Sequence, residues 1–184
     1  MKQMTEQNMI NAFGGECQAH MRYLRFAEVA AKENFPNVSR MLIAIAEAER
    51  IHAFDHYQEL KHLDTGRVAN SMAAFGPGNT AKNLGLSIAG ETFEIEEMYP
   101  TYIETAAFQS ERSAERSFRW SYMTEVEHRK LFQKAKEAVD GGQDVTLGTV
   151  HVCDVCGYTL EGDAPDACPV CKAKKDRFKA YEAV

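Results

Sequence analysis

Glutamates and histidines recur along this chain at a fixed interval. Glu16 is followed by Glu49-x-x-His52, and Glu91 is followed by Glu125-x-x-His128. Glu16 to Glu91 is 75 positions, while Glu49 to Glu125 and His52 to His128 are each 76. Residues at i and i+3 of a helix share one face, about a turn apart, so each Glu-x-x-His can grip a single metal pair. Each half of the repeat thus offers one glutamate plus one Glu-x-x-His, a donor set suited to divalent transition metals. The flanks are apolar: Phe13 and Tyr23 around Glu16, Ile45 and Ala53 around Glu49, Ile88 and Ile95 around Glu91, Phe118 and Phe132 around Glu125. A carboxylate in an apolar core is costly unless it is paired or metal-bound, and four such placements in register call for cations.

The repeat is not perfect. Glu94 lies three positions after Glu91 and faces the same site, whereas its counterpart in the first half is Ala19. The expected ligand set therefore has five carboxylates and two histidines. Tyr23 and Tyr99, seven and eight positions after Glu16 and Glu91, can hydrogen-bond the ligand carboxylates. Glu59-x-x-His62 repeats the pattern locally, but its repeat equivalents are Ala135 and Ala138 and no further glutamate joins it. It reads as a solvated helix end. His56, one turn beyond His52, reads as a supporting or core residue rather than a ligand.

A second constellation lies near the C-terminus. Cys153-x-x-Cys156 and Cys168-x-x-Cys171 are separated by 11 residues. Each pair holds two thiolates on one side of a metal, and two pairs close a tetrahedron that suits zinc or iron. Lys172 follows the last cysteine where a tight turn would favour glycine. The acidic Glu161, Asp163 and Asp166 between the pairs, and the basic Lys172, Lys174, Lys175, Arg177 and Lys179 after them, suggest docking surfaces for a redox partner. The fifth cysteine, Cys17, reads as a small helix residue without chemistry.

These residues need four long helices to position them. Helical periodicity runs from about residue 5 to 140. Thr5 is expected to cap the first helix, Thr80 the third and Ser110 the fourth. Asn34-Phe35-Pro36-Asn37 breaks the first helix from the second, which runs to about Leu63. The third reaches about Phe108, with Pro100 as a possible kink inside it. The sixteen residues Asp64–Asn79, with Gly66, Gly76, Pro77 and Gly78, are long for a bundle loop and imply a crossover between helix pairs. The expected fold class is mainly α: a four-helix bundle over residues 1–142, with a small cysteine-dependent module over 147–184 that is too short to build a large core alone.

Composition sets outer limits. The chain has 184 residues, is 45% hydrophobic and carries a formal net charge of −6, which argues against nucleic acid as a partner. No apolar run is long enough to span a membrane. Met1–Ile10 is polar, without the apolar stretch of a secretory signal, so the cytoplasm is the expected compartment and metal binding is favoured over disulfides.

The combination resembles the rubrerythrins. It rests on Gly15-Glu16-Cys17-Gln18-Ala19, Glu47-Ala48-Glu49-Arg50-Ile51-His52-Ala53, Gly90-Glu91-Thr92-Phe93-Glu94, Glu97-Met98-Tyr99-Pro100, Glu125-Val126-Glu127-His128 and the two cysteine pairs, and so covers essentially the whole chain. The resemblance implies a ferritin-like bundle with a C-terminal rubredoxin-like module. It implies a non-haem di-iron peroxidase that reduces hydrogen peroxide to water under oxidative stress. Glu16, Glu49, His52, Glu91, Glu94, Glu125 and His128 would hold the irons, with Glu49 and Glu125 bridging and Glu94 exchanging with His52 on change of oxidation state. Cys153, Cys156, Cys168 and Cys171 would hold a single iron that passes on electrons from an NADH-dependent reductase chain. The family pattern further implies a homodimer with the cysteine module near the other subunit's di-iron site. Two alternatives stand beside it: a ferritin-like ferroxidase, and a non-catalytic metal-binding protein with a zinc tail.

Overall fold

A computed structural model describes residues 1–76 and 78–182; Pro77 of the expected crossover and residues 183–184 of the expected module lie outside the described residues. Helix α1 (Gln3–Lys32) packs along α2 (Pro36–Glu59) as one antiparallel hairpin. The second hairpin pairs an interrupted arm with α5 (Arg112–Asp140). That arm is α3 (Thr80–Phe93), a π-helical turn (Glu94–Met98) and α4 (Tyr99–Phe108).

The π turn replaces the single helix expected to Phe108. Pro100 falls near the start of α4, where its missing N–H is tolerated. The sequence carried the reason for the turn: Tyr99 follows Glu91 by eight positions, Tyr23 follows Glu16 by seven, and a π turn absorbs one added residue without ending the helix.

Helix ends differ from expectation in several places. Thr5 lies inside α1, buried, where its N–H and hydroxyl both meet Gln109 Oε1 (3.1 and 2.7 Å) rather than capping the helix. Asn79, not Thr80, caps α3, accepting from the Lys82 N–H at 3.0 Å. Ser110 sits in the left-handed region at φ 61° one residue before the α5 cap, Glu111. Helix α2 stops at Glu59, short of Leu63.

The segment from Leu60 to Asn79 crosses the outside of α1 to join the two hairpins, as its length predicted. Asn11 Oδ1 accepts from the Asn70 N–H (2.9 Å), and Gln7 and Gln18 donate to Val68 O and Met72 O. Gly14 permits this close passage, since a Cβ there would lie 2.8 Å from the Ala69 Cβ.

The C-terminal module is a three-stranded antiparallel sheet in the order β2-β1-β3, with β1 (Val150–Cys153), β2 (Thr159–Glu161) and β3 (Phe178–Tyr181). It shares the bundle's core: Val145, Leu147, Val150 and Val152 pack in one buried cluster with α1, α2 and α5 residues. Asp144 caps α2 through the Asn37 and Val38 N–H groups (2.8 and 3.3 Å). The nearly buried Arg40 guanidinium donates to the carbonyls of Leu147, Gly148 and Tyr181 at 2.7–2.9 Å. These contacts fix the module to the bundle of its own chain.

Two knuckles carry the cysteines. Gly157 (φ 78°) and Lys172 (φ 66°) occupy equivalent turns, and their N–H groups donate to Cys153 O and Cys168 O. Lysine bears a side-chain penalty in this conformation that glycine does not. Lys172→Gly is expected to stabilise the metal-loaded protein by about 0.5–1 kcal/mol after the entropic cost of glycine is subtracted. Urea unfolding followed by loss of the thiolate–metal absorption would measure it.

Candidate metal centres

The expected ligands converge at mid-height in the bundle. Tyr23 belongs to the apolar cluster on one side of the site and Tyr99 to the cluster on the other. Glu16, Glu49, Glu91, Glu125, His52 and His128 are each at most 1% exposed. Their donor atoms form two groups, Glu16–Glu49–His52–Glu125 and Glu49–Glu91–Glu125–His128, each with all atoms within 4.8 Å of one another. Metal bonds of about 2.0–2.2 Å place opposed donors roughly 4–4.5 Å apart, so each group has the span of one ion. Glu49 and Glu125 appear in both groups and can touch both ions.

His52 Nδ1 lies 3.0 Å from Glu49 Oε2 and 3.0 Å from Glu125 Oε1, and His128 Nδ1 lies 3.2 Å from Glu49 Oε1 and 2.6 Å from Glu125 Oε2. Yet His128 Nδ1, both Glu125 oxygens, Glu16 Oε2 and Glu91 Oε2 are buried without a hydrogen-bond partner. Orphaned polar atoms that crowd one another without forming hydrogen bonds fit a ligand set better than a salt-bridge network.

Supporting groups cross between the halves. Tyr23 OH donates to Glu91 Oε1 at 2.5 Å, and Tyr99 OH donates to Glu16 Oε1. Each tyrosine thus serves the other half's glutamate and leaves one carboxylate oxygen for a metal. Because Tyr99 uses its proton on Glu16, its oxygen accepts from His56 Nε2 (3.1 Å), and His56 Nδ1 accepts from the Ser117 hydroxyl (2.8 Å). Burial, with His52 adding to it, pushes His56 down to about 3 and keeps it neutral. His56 is therefore a hydrogen-bonded support, as its position suggested. Glu59 and His62 lie apart from the site, paired with Ser113 and Glu6.

Glu94 joins neither donor group. It opens the π turn and lines a cavity of about 360 Å³ with Gly15, Gln18, Arg22, Gly90 and Tyr102. Cys17, half-buried, lies outside both metal groups.

The four cysteines gather as expected. Cys153 Sγ lies 3.7 Å from Cys171 Sγ, and Cys156 Sγ lies 3.7 Å from Cys168 Sγ. Bonds of about 2.3 Å to one ion give tetrahedral S···S edges of about 3.8 Å. Trp120 of α5 packs against this cluster.

Sequence reasoning did not foresee how the two centres meet. Thr159 Oγ1 lies 3.1 Å from His128 Nε2. Gly157, next to Cys156, abuts His52, where an added Cβ would lie 2.4 Å from Nε2. The sequence places Gly157 directly after Cys156, but nothing local in it reports what that glycine packs against.

A ferritin-like carboxylate bundle joined to a four-cysteine module defines a class of paired metal proteins, and comparison with known proteins agrees. Family models match residues 7–136 (Rubrerythrin) and 151–179 (Rubrerythrin, rubredoxin-like domain). The chain is 43% identical to Rubrerythrin-2 of Clostridium acetobutylicum over 97% of both chains. It is 30% identical to nigerythrin of Nitratidesulfovibrio vulgaris, covering 96% of this chain and 86% of the relative. The fully reduced, all-ferrous nigerythrin structure superposes with a TM-score of 0.84 at 30% identity, over 96% of this chain and 86% of that one. The chain belongs to the rubrerythrin family, whose members are oxidoreductases. It carries that family's di-iron carboxylate site and a rubredoxin-like four-cysteine iron site.

Without metal, the bundle site is electrostatically unbalanced. Burial first, then neighbouring carboxylates, push Glu16, Glu91 and Glu94 well above the ordinary 4.5. Burial opposes charge on the histidines, but Glu125 outweighs it at His52, and Glu49 with Glu125 pushes His128 up to about 10. Burial likewise opposes Glu49, which His128 and His52 nevertheless hold below the usual carboxylate range. The five raised groups bind protons more tightly folded than unfolded. Their stabilisation is complete below the ordinary values of 4.5 and 6.5 and is lost as pH rises through the raised ones. Glu49 acts oppositely, its contribution falling away only as pH drops below 4.5. Metal-free protein is therefore expected to melt at a lower temperature at about pH 9 than at about pH 6. Added ferrous iron or zinc should remove that trend, as thermal melts with and without metal would show.

Proposed function

We propose that this protein is a peroxidase that reduces hydrogen peroxide to water in the cytoplasm, the bundle (residues 1–142) forming the catalytic unit and residues 147–184 the electron inlet. The observation that supports it most is the docking of the cysteine module on both site histidines, Thr159 at His128 and Gly157 at His52. An iron-storage site needs no attached electron inlet, so this contact favours peroxide reduction over ferroxidation.

In this reading Glu49 and Glu125, shared by both donor groups, would be held in common by the two irons. Glu16 with His52 and Glu91 with His128 would hold the two ends, and Glu94 would serve as the ligand alternative to His52 in the other oxidation state. The iron pair, when bound, would supply the two electrons that, with two protons from solvent, convert the peroxide into two waters. The chain's own groups set the stage. Tyr23 and Tyr99 orient Glu91 and Glu16, His56 holds Tyr99, and the apolar clusters on either side keep bulk water from the carboxylates. Substrate enters by the cavity beside Glu94. Cys153, Cys156, Cys168 and Cys171 would hold the iron that accepts electrons from an NADH-dependent reductase chain. The side chains of Met21, Met72 and Phe75, exposed along α1 and the crossover, offer apolar surface to a second copy in a homodimer.

Anaerobic titration tests the reading. Fully reduced protein is expected to be oxidised by one equivalent of hydrogen peroxide per iron pair, faster than by dissolved oxygen. Faster oxidation by oxygen would instead indicate a ferroxidase, and a colourless tail holding stoichiometric zinc would remove the electron inlet.

Cys153→Ser separates the two centres. The variant is expected to let a chemically pre-reduced bundle site react with peroxide at the wild-type rate while NADH-driven steady-state turnover falls by at least about tenfold, the smallest loss that removing even a partner of a metal ligand typically causes. Stopped-flow single turnover alongside NADH consumption would check both halves.

A further inference from the structure

The two site histidines are held differently by the cysteine module. Thr159, on β2 and fully buried, donates its hydroxyl proton to Gly157 O at 2.9 Å. Its oxygen is then left to accept, and the neighbour at 3.1 Å is His128 Nε2. Nε2 must therefore carry a hydrogen, so once a bound metal displaces the second proton of His128 it is the Nδ1 lone pair, facing Glu49 and Glu125, that is left to ligate. The corresponding outer nitrogen of His52 is buried against Gly157 and has no hydrogen-bond partner. The cysteine module thus holds one imidazole by a hydrogen bond that fixes its tautomer and orientation, and meets the other by packing alone.

We propose that Thr159 is a positioning residue: through His128 Nε2 it fixes the tautomer and ring orientation in which His128 Nδ1 faces the metal pair. The inference rests on the di-iron reading above but not on peroxide as the substrate. A ligating histidine whose second nitrogen donates to a fixed acceptor keeps its ring orientation and gains basicity. It also follows that the C-terminal module shapes the bundle's metal site directly, beyond any part it plays in electron delivery.

The test compares Thr159→Val, which removes the hydroxyl at nearly constant shape, with Thr159→Ser, which keeps it. Zinc serves as a diamagnetic probe in the otherwise intact chain. Chelator competition is expected to show zinc affinity at the bundle site about 10–100-fold weaker in Thr159→Val and within about threefold of wild type in Thr159→Ser. In proton–nitrogen spectra of the zinc-loaded protein, the His128 Nε2–H should give a downfield, slowly exchanging resonance in wild type and Thr159→Ser. That resonance should be lost in Thr159→Val. The absorption of cobalt bound to the four cysteines reports separately that the module remains folded. If Thr159→Val disrupts that signal, Thr159→Ser alone decides, and a wild-type resonance with near-wild-type affinity supports the assignment. Unchanged affinity and resonance in a folded Thr159→Val would overturn it. So would a Thr159→Ser variant as weak as Thr159→Val, since the position would then act by shape and not through its hydroxyl. Peroxide turnover is not a readout here, so failure of the peroxidase reading would leave this result intact.

Discussion

Six ionisable side chains share the interior of one helical bundle, and their mutual compensation governs the rest of the molecule. Four glutamates and two histidines, almost wholly removed from solvent, cannot all be charged or all be neutral without cost. The histidines meet part of the demand by holding protons, and Glu49 meets part by staying ionised. Several carboxylate oxygens remain without partners even so. Two divalent ions would complete the balance. The apolar clusters above and below then act as walls that keep water from supplying the same compensation more cheaply.

The second centre is bound into the same packing unit. The C-terminal module is too small to bury a core of its own, so Val150 and Val152 are buried in the bundle's. Arg40 and Asp144 then fix the angle at which it sits, one by satisfying three carbonyls and the other by capping a helix. The glycine beside Cys156 is favoured by its positive φ and required by the histidine that occupies the space a side chain would fill. Turn chemistry within the knuckle and the approach of the two centres therefore depend on a single residue.

Much of this was legible in the sequence because metal chemistry imposes spacing. The repeat at 75 and 76 positions marked the bundle and its duplicated hairpins, the paired cysteines marked the module, and a connection of sixteen residues marked the crossover. Helix ends were less legible. Thr5 and Ser110 have the side chains of caps, but Gln109 engages the first and a left-handed turn takes the second. Least legible was the contact between module and bundle, because Thr159 and His128 are 31 positions apart and meet only through the packing of a linker whose sequence carries no periodic signal. The one-residue difference between 75 and 76 was visible, but its meaning emerged only as a widened helical turn.

That turn makes the centre one-sided. In a strictly duplicated bundle the two faces of the metal pair would be equivalent, and a small reactant would have no reason to prefer either. One added residue lets Tyr99 stay opposite Glu16, where an ordinary helix would have rotated it by about 100°. The same widened turn starts at Glu94, on the wall of the cavity, while the matching position in the first half is the buried Ala19. An inherited twofold symmetry is thereby converted into polarity: a closed alanine face behind, and a carboxylate face in front that opens toward solvent.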